Sequence, residues 1–317
     1  MTIVDFTANH VVQAQSIAYM NYEEERGHVP ALPPVASMPG LDGMPGVAAV
    51  ESGELLGFLC WYKPWENFFG LNRGTWSPVH AHGAAASNRA GIYLRLYEAA
   101  AARLVAAQAC SHAVTLYAHD AAANEAFVQN GFGRRCVEAI RTTEAMDMPA
   151  CAGVAYRRAG GTDAAGLTDM RNRTSGHLSQ SPVFMPLSAD ITANDVLRDM
   201  AENDTLYFLA LQNDEPAAYL RLVKEGESFA SADASVRSIC GAYAYPAVRG
   251  SGVMAGLLAY ATDYLRTAGI TRCGVEYECF NHAGRRFWEK QFTPYTTSMH
   301  RRIDERILSC GSIAIDI

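Results

Sequence analysis

None of the eight cysteines of this sequence (Cys60, Cys110, Cys136, Cys151, Cys240, Cys273, Cys279 and Cys310) belongs to a Cys-x-x-Cys pair. Several sit in strand-like runs such as "GFLCWY" and "RCGVEYECF". Buried reduced thiols that pack as small apolar groups are therefore expected, rather than a disulfide framework or a catalytic thiol. The chain also has no run of Lys or Arg, and its formal net charge is -7. A surface for nucleic acid or anionic membrane is not expected, although a local basic pocket for a phosphate-bearing ligand is compatible with this balance. The opening "MTIVDFTANHVVQ" has no basic stretch leading into an apolar core, and no window reaches the about 18 uncharged apolar residues of a membrane span. The expected location is the cytoplasm. What remains is 317 residues, 49% apolar and 19% charged, a composition of ordinary globular proteins and a length that suits two domains of about 150 residues each.

A duplication organises the chain. Arg89, Tyr117, Phe127, Phe132 and Arg141 are each followed 160 residues later by the same residue type, at Arg249, Tyr277, Phe287, Phe292 and Arg301. Upstream, "GELLGFL" (Gly53 to Leu59) matches "DEPAAYL" (Asp214 to Leu220) at an offset of 161, and "GHV" matches "GHL" at 149. Matches in one order, drifting only through loops, indicate a repeated domain. The boundary is expected between Met148 and Gly153, giving domains 1–150 and 151–317.

Each half reads alike: a short strand, a helix, a long proline-bearing loop, and a hairpin with Ser52-Gly53 or Asn213-Asp214 at its turn. A third strand, a long helix, a strand, a short helix and a last strand follow. Strands mixed with several helices per half imply an α/β layered fold made twice.

The stretch with most chemistry is "YAYPAVRGSGVMAGLL". Its strand ends near Pro246, and Gly250 and Gly252 stand at the entry of a helix with apolar period Val253, Leu257, Leu258, Ala261 and Leu265. Amides at such an entry lack intrahelical acceptors, the helix dipole favours an anion, and glycines admit a phosphate close to the backbone, with Arg249 adding charge. By spacing alone this is a pyrophosphate cradle or a tight turn. The wider pattern, Ala244-Tyr245-Pro246-Ala247-Val248-Arg249-Gly250-Ser251-Gly252, then Leu257-Leu258, then Asn281-His282-Ala283 and Phe287 to Phe292, resembles the GCN5-related N-acetyltransferase (GNAT) superfamily. The resemblance covers the second half and extends more weakly to the first; in architecture and length the chain is similar to tandem-domain members such as mycothiol synthase.

The resemblance implies two tandem GNAT-like domains, each a mixed, mostly antiparallel sheet flanked by helices, and acetyl-CoA as co-substrate without a metal. It places the pantetheine arm along Ala242, Tyr243 and Ala244. The pyrophosphate would lie on Arg249, Gly250, Ser251, Gly252, Val253, Met254 and Ala255, with further contacts from Asn281 and Arg286. An amine then attacks the thioester directly, which calls for a base and a proton for the departing thiolate. Glu276 and Glu278 alternate with Tyr277 and share a strand face; they are a base directly or through water, or a solvated pair. Two letters depart from the family pattern: Met254 stands where glycine or alanine is usual, and Trp288 replaces the thiolate-protonating tyrosine, leaving Tyr245, Tyr295 or water for that role.

In the first half the turn reads Arg89-Ala90-Gly91-Ile92, and a β-branched side chain at Ile92 is expected to block a phosphate. That half is read as degenerate, bracing the fold. His80, His82, His112 and His119 there are hydrogen-bonding residues or a zinc set, and "WYKPWENFFG" is core packing or an acceptor wall. The loops after "GHV" and "GHL" make His177, Ser181 and Phe184 candidate substrate contacts. The expected activity is N-acetylation of a small-molecule amine; a protein amine acceptor, or non-catalytic acyl-CoA binding, are the alternatives.

Overall fold

Both expected hairpin turns close as two-residue loops: Glu51 pairs with Glu54 across Ser52-Gly53, and Gln212 with Glu215 across Asn213-Asp214. All four loop residues have positive φ, between 52° and 86°, the condition for a turn whose twist matches that of the strands it joins. The computed structural model describes residues 1–69, 72–146, 151–187, 189–202, 204–224 and 226–309. Cys310 and the first residues of the expected boundary, from Met148, lie outside the described residues.

The first half runs β1 (Thr2–Asp5), α1 (Val11–His28), β2 (Gly46–Glu51), β3 (Glu54–Cys60), β4 (Trp65–Phe68), β5 (Asn72–Ser77), β6 (His82–Ala84), α2 (Arg89–Ala106), β7 (Ser111–Tyr117), α3 (Ala121–Gln129) and β8 (Gly133–Thr142). The second runs β9 (Val154–Arg158), α4 (Ala164–Leu178), α5 (Ala193–Glu202), β10 (Leu206–Gln212), β11 (Glu215–Val223), β12 (Val236–Ala244), α6 (Val253–Thr267), β13 (Arg272–Glu278), α7 (His282–Trp288) and β14 (Thr293–Arg302). The fold is α/β with mixed, mostly antiparallel sheets, and the repeat is visible element by element. Helix α5 has no counterpart in the sequence reading. Its signal is reciprocal capping, in which Asp195 N–H donates to Thr192 Oγ1 at 3.3 Å and Thr192 N–H to Asp195 Oδ2 at 2.9 Å.

Two compact units result. Met1–Pro30, Pro34–Val137 and the chain from Pro294 form the first; Ala31–Pro33 and Glu138–Thr293 form the second. This differs from a cut at residue 150 because the repeat-related strands β8 and β14 exchange roles. In the first unit β14 pairs antiparallel with β7, from Thr296↔Tyr117 to Arg302↔Ser111, in the order β4-β5-β7-β14 beside a second sheet β1-β2-β3-β6. In the second unit the Glu138–Thr142 part of β8 borders β13, in the order β8-β13-β12-β11-β10-β9. Each unit's last ladder position is thus filled by a strand from the opposite half, which pairs backbone groups an edge would leave open.

Helix α2 packs Ile92, Leu96, Tyr97 and Leu104 against Val47 and Ala49 of β2 and Val114 and Leu116 of β7, with Phe127, Phe132 and Met299 closing the first core. The second core joins Leu167 and Met170 of α4, Val196 of α5, Tyr207 and Leu209 of β10, Tyr219 and Tyr243. On the buried face of α5, Asp199 accepts from Arg221 Nε at 2.7 Å and Nη2 at 2.9 Å, from Tyr207 Oη at 2.6 Å and from Thr205 Oγ1 at 3.1 Å. Among the described residues no helix is long and apolar enough to cross a membrane.

Candidate active site

Strand β12 is held on two sides over different lengths. Its antiparallel ladder with β11 reaches Ala218↔Ala244, whereas its parallel ladder with β13 runs from Val236↔Arg272 only to Ile239↔Val275. Between these limits the β11 register steps from Leu222↔Ile239 to Arg221↔Gly241, so Cys240 is the extra residue of a bulge. A bulge bends its strand, and β12 and β13 part after Ile239 and Val275. Ala242, Tyr243 and Ala244 pair with β11 but lie along the stretch that β13 leaves free, and Glu276 is the first residue of β13 beyond the last pair.

Beyond β12 the chain makes a short 3-10 turn at Pro246–Val248, extends at Arg249, and enters α6 through Gly250 and Gly252 at φ 79° and 91°. Left-handed backbone of this kind favours glycine. The first helical bond of α6 is Gly256 N–H to Gly252 C=O, so the amides of Gly252, Val253, Met254 and Ala255 precede it and face outward with the positive end of the helix dipole. A Cβ at Gly250 or Gly252 would meet nothing within 4 Å; the space that side chains would take is open, as a bound pyrophosphate requires. Arg249 is exposed, yet its Nε donates to Ala244 C=O at 3.0 Å and its guanidinium lies 5.3 Å over the Tyr243 ring. Strand end and turn are thereby tied together. Ser251 Oγ donates to Val248 C=O at 2.7 Å, and Met254 is half-buried in the first turn of the helix.

A carboxylate cluster stands at the parting of the strands. Glu276 Oε1 accepts the Glu227 N–H at 2.8 Å, and Glu138 Oε1, on β8, accepts the same N–H at 3.1 Å, the Ser228 N–H at 3.2 Å and Ser231 Oγ at 2.8 Å. Burial, then the charges of Glu138 and Glu227, push the Glu276 carboxyl up to about 7, with Glu278 adding to the rise. Glu278 itself is half-buried at the end of β13. Glu138, only 3% exposed, is absent from the sequence reading; its signal is a lone carboxylate inside the apolar run "CVEAI".

The remaining expected residues divide. Tyr245 Oη donates to Asp169 Oδ2 at 2.7 Å, and burial together with that bond pushes its hydroxyl up to about 12. Its proton is thus committed, contrary to a role as acid. Tyr295 is buried on β14, in the part of that strand that belongs to the first unit and pairs with β7. Trp288 is buried against Phe287 and Phe292. Asn281 caps α7, its Oδ1 accepting Gly284 N–H at 3.3 Å, and Arg286 is exposed on that helix. His177 is an exposed residue of the last turn of α4, its pKa lowered by partial desolvation and then by the charge of Arg249. Ser181 and Phe184 are exposed on the turns after α4, and among the described residues no contact brings them to the cluster or the glycine turn.

The first unit has no equivalent turn. Asn88 caps α2 at φ 56°, and Ile92 N–H already bonds Asn88 C=O, one helical turn earlier than the repeat offset would place it. The segment Arg89–Ile92 is helix, and Ile92 is 2% exposed in the core. The obstacle to a phosphate is therefore an early helix start, not an isoleucine projecting into a cradle. His82 bonds Tyr93 Oη and Thr115 C=O, and His112 bonds Tyr97 Oη and Ala109 C=O; burial pushes both imidazoles down to about 4. Among the described residues no group of three or more His, Cys, Asp or Glu is placed to hold a metal.

Residues 177–292 match the model of the Acetyltransferase (GNAT) family. These residues lie within the second unit, so the family likeness falls on the second half of the chain. No curated protein matches the sequence. Among solved structures, a GCN5-related N-acetyltransferase from Sphaerobacter thermophilus is 13% identical with a TM-score of 0.58, covering 95% of each chain, which shows that the fold extends over both halves. A GNAT-family acetyltransferase from Colwellia psychrerythraea (10% identity, 96% and 100% coverage, TM-score 0.48) and a tandem GNAT protein from the clavulanic acid biosynthesis pathway (13%, 95% and 98%, 0.44) are more distant in shape.

Proposed function

We propose that the second unit transfers an acetyl group from acetyl-CoA to the amine of a small molecule. The observation that carries this reading is Glu276, a carboxyl pushed up to about 7, as the first residue past the last β12–β13 pair, on the strand gap that leads to the Gly250–Ala255 turn. The turn supplies outward amides and Arg249 for a pyrophosphate, and the stretch Ala242–Ala244, free on its β13 side, offers backbone groups to an extended arm. When bound, acetyl-CoA supplies the thioester carbonyl.

Glu276 then serves both proton steps. At neutral pH a carboxylate of this pKa accepts a proton from the attacking amine, and a thiolate leaving group, whose conjugate acid titrates near ~8.5, is basic enough to take it back. No tyrosine is needed, which fits Trp288 in the core and Tyr245 bonded to Asp169. The seven described free cysteines suit a reducing compartment such as the cytoplasm.

Calorimetric titration of acetyl-CoA, followed by turnover on a panel of small amines and of lysine peptides, tests the reading. Coenzyme binding with turnover on small amines is the expected result. Turnover on peptides alone assigns a protein acceptor, binding without turnover assigns a non-catalytic protein, and absence of binding overturns the coenzyme site.

A further inference from the structure

Three donors of one loop converge on the carboxyl of Glu138. Its Oε1 accepts the N–H groups of Glu227 and Ser228, at 3.1 and 3.2 Å, and the Ser231 hydroxyl at 2.8 Å. The loop is folded tightly to present them. The N–H groups of Ser231 and Ala232 both reach Ser228 C=O, at 3.1 and 3.2 Å, and both serines are buried. Glycine is needed where the chain enters this turn, since a Cβ on Gly226 would come within 2.6 Å of Ser231 Cβ.

The Glu227 N–H that Glu138 holds is also the donor to Glu276 Oε1, at 2.8 Å. The two carboxyl oxygens are therefore no more than about 6 Å apart, a range at which like charges off the surface repel appreciably. Glu276 is faced by Glu138 on β8, Glu227 on the loop, Glu278 on its own strand and Cys240 at the β12 bulge. Cys240 adds no charge at neutral pH, its thiol being pushed up to about 12 by desolvation and then by the charge of Glu276. Of the three neighbouring carboxyls, Glu227 and Glu278 are half-buried and only Glu138 is buried, so its charge is the least screened by water.

We propose, on the reading of Glu276 as the base, that Glu138 is its positioning residue: it seats the Glu227–Ser231 loop, whose amide orients Glu276, and its charge makes Glu276 a stronger base. The site of the second unit is thus completed by a residue from the first half of the chain, brought in on β8 beside β13.

The test uses the full-length chain and Glu138→Gln, which keeps the size and an acceptor oxygen for the loop while removing the charge. Carbon-13 resonances of the side-chain carboxyls, with Glu276 assigned by its loss in Glu276→Gln, are followed against pH without coenzyme; kcat/KM against pH is measured on an amine that is turned over. Glu276 is expected to titrate at least about half a unit lower in Glu138→Gln. The kcat/KM inflection should move with it, the amine KM should stay within about twofold, and thermal unfolding should match the parent. If Glu138→Gln does not fold, Glu138→Asp decides: it keeps the charge but withdraws it by one methylene, and a smaller shift in the same direction is expected. An unchanged Glu276 titration in the folded variant overturns the proposal, and a fall in kcat beside it leaves Glu138 as a seat for the loop alone. A titration that moves while the kinetic inflection stays upholds the action of Glu138 on Glu276 and overturns instead the assignment of Glu276 as the base.

Discussion

Glu138 and Glu276, on adjacent strands, accept the same backbone N–H, that of Glu227, at 3.1 and 2.8 Å. Burial of Glu276, then the charge of Glu138 beside it, disfavours its ionised form and pushes its carboxyl up to about 7.

The rate should therefore rise with pH. If Glu276 accepts the amine proton, kcat/KM increases through about 7 and levels above it. Glu276→Gln should lower kcat by about 10²- to 10⁴-fold, the usual worth of a general base, and remove that inflection. Steady-state kinetics across the pH range checks both; an inflection that survives in Glu276→Gln assigns it to another group.

The same shift has a stability consequence. Native Glu276 holds its proton at pH values where the unfolded chain, near 4.5, has lost it. Its contribution is complete below the unfolded value and is lost as pH rises through about 7. Glu276→Gln should accordingly gain stability relative to the parent between pH 5 and 8, by up to about 3 kcal/mol. Urea unfolding at the two pH values measures it.

Gly252→Asp should abolish coenzyme binding, since a carboxylate would enter the open space before α6 and the residue at φ 91° would be strained. Arg89→Ala, in the half whose helix begins early, should leave coenzyme A affinity unchanged within about twofold. Calorimetry on both variants decides; equal loss would place the coenzyme in both units.

Asp199→Ala should cost about 3 kcal/mol, because it leaves the half-buried Arg221 guanidinium without its carboxylate. Chemical denaturation reads this directly. Tyr245→Phe, by contrast, should change kcat less than about threefold, since its proton is held by Asp169 and is too weakly acidic at about 12 to reach a thiolate.

Residues 1–150 and 151–317 expressed apart should each be poorly folded, and co-expression should restore a folded product. The first lacks β14 and the second lacks Glu138–Thr142. Dispersion of amide resonances in each sample reports the outcome.

Much of this was legible in the residues. The matches at a constant offset of 160 give the duplication, the hairpin pairs give the turns, and Arg249-Gly250-Ser251-Gly252 gives the helix entry, because each depends on local backbone preference or on period. Glu276 and Glu278 are readable as a pair on one strand face, but the raised pKa of Glu276 comes from its burial and from the charge of Glu138, 138 residues before it. Such long-range electrostatics has no local signature. The role of Tyr245 changes for the same reason, through Asp169 of α4.

The sequence by itself thus determined the repeated α/β architecture and the glycine turn at α6, since backbone geometry and hydrophobic period are written residue by residue. Tertiary structure alone decided which strand completes which unit. Strands β8 and β14 descend from one repeat and carry the same pattern, so local preference cannot tell them apart; only the pairing of Thr296 with Tyr117, and the approach of Glu138 to Glu276 through the Glu227 amide, assigns each to its place.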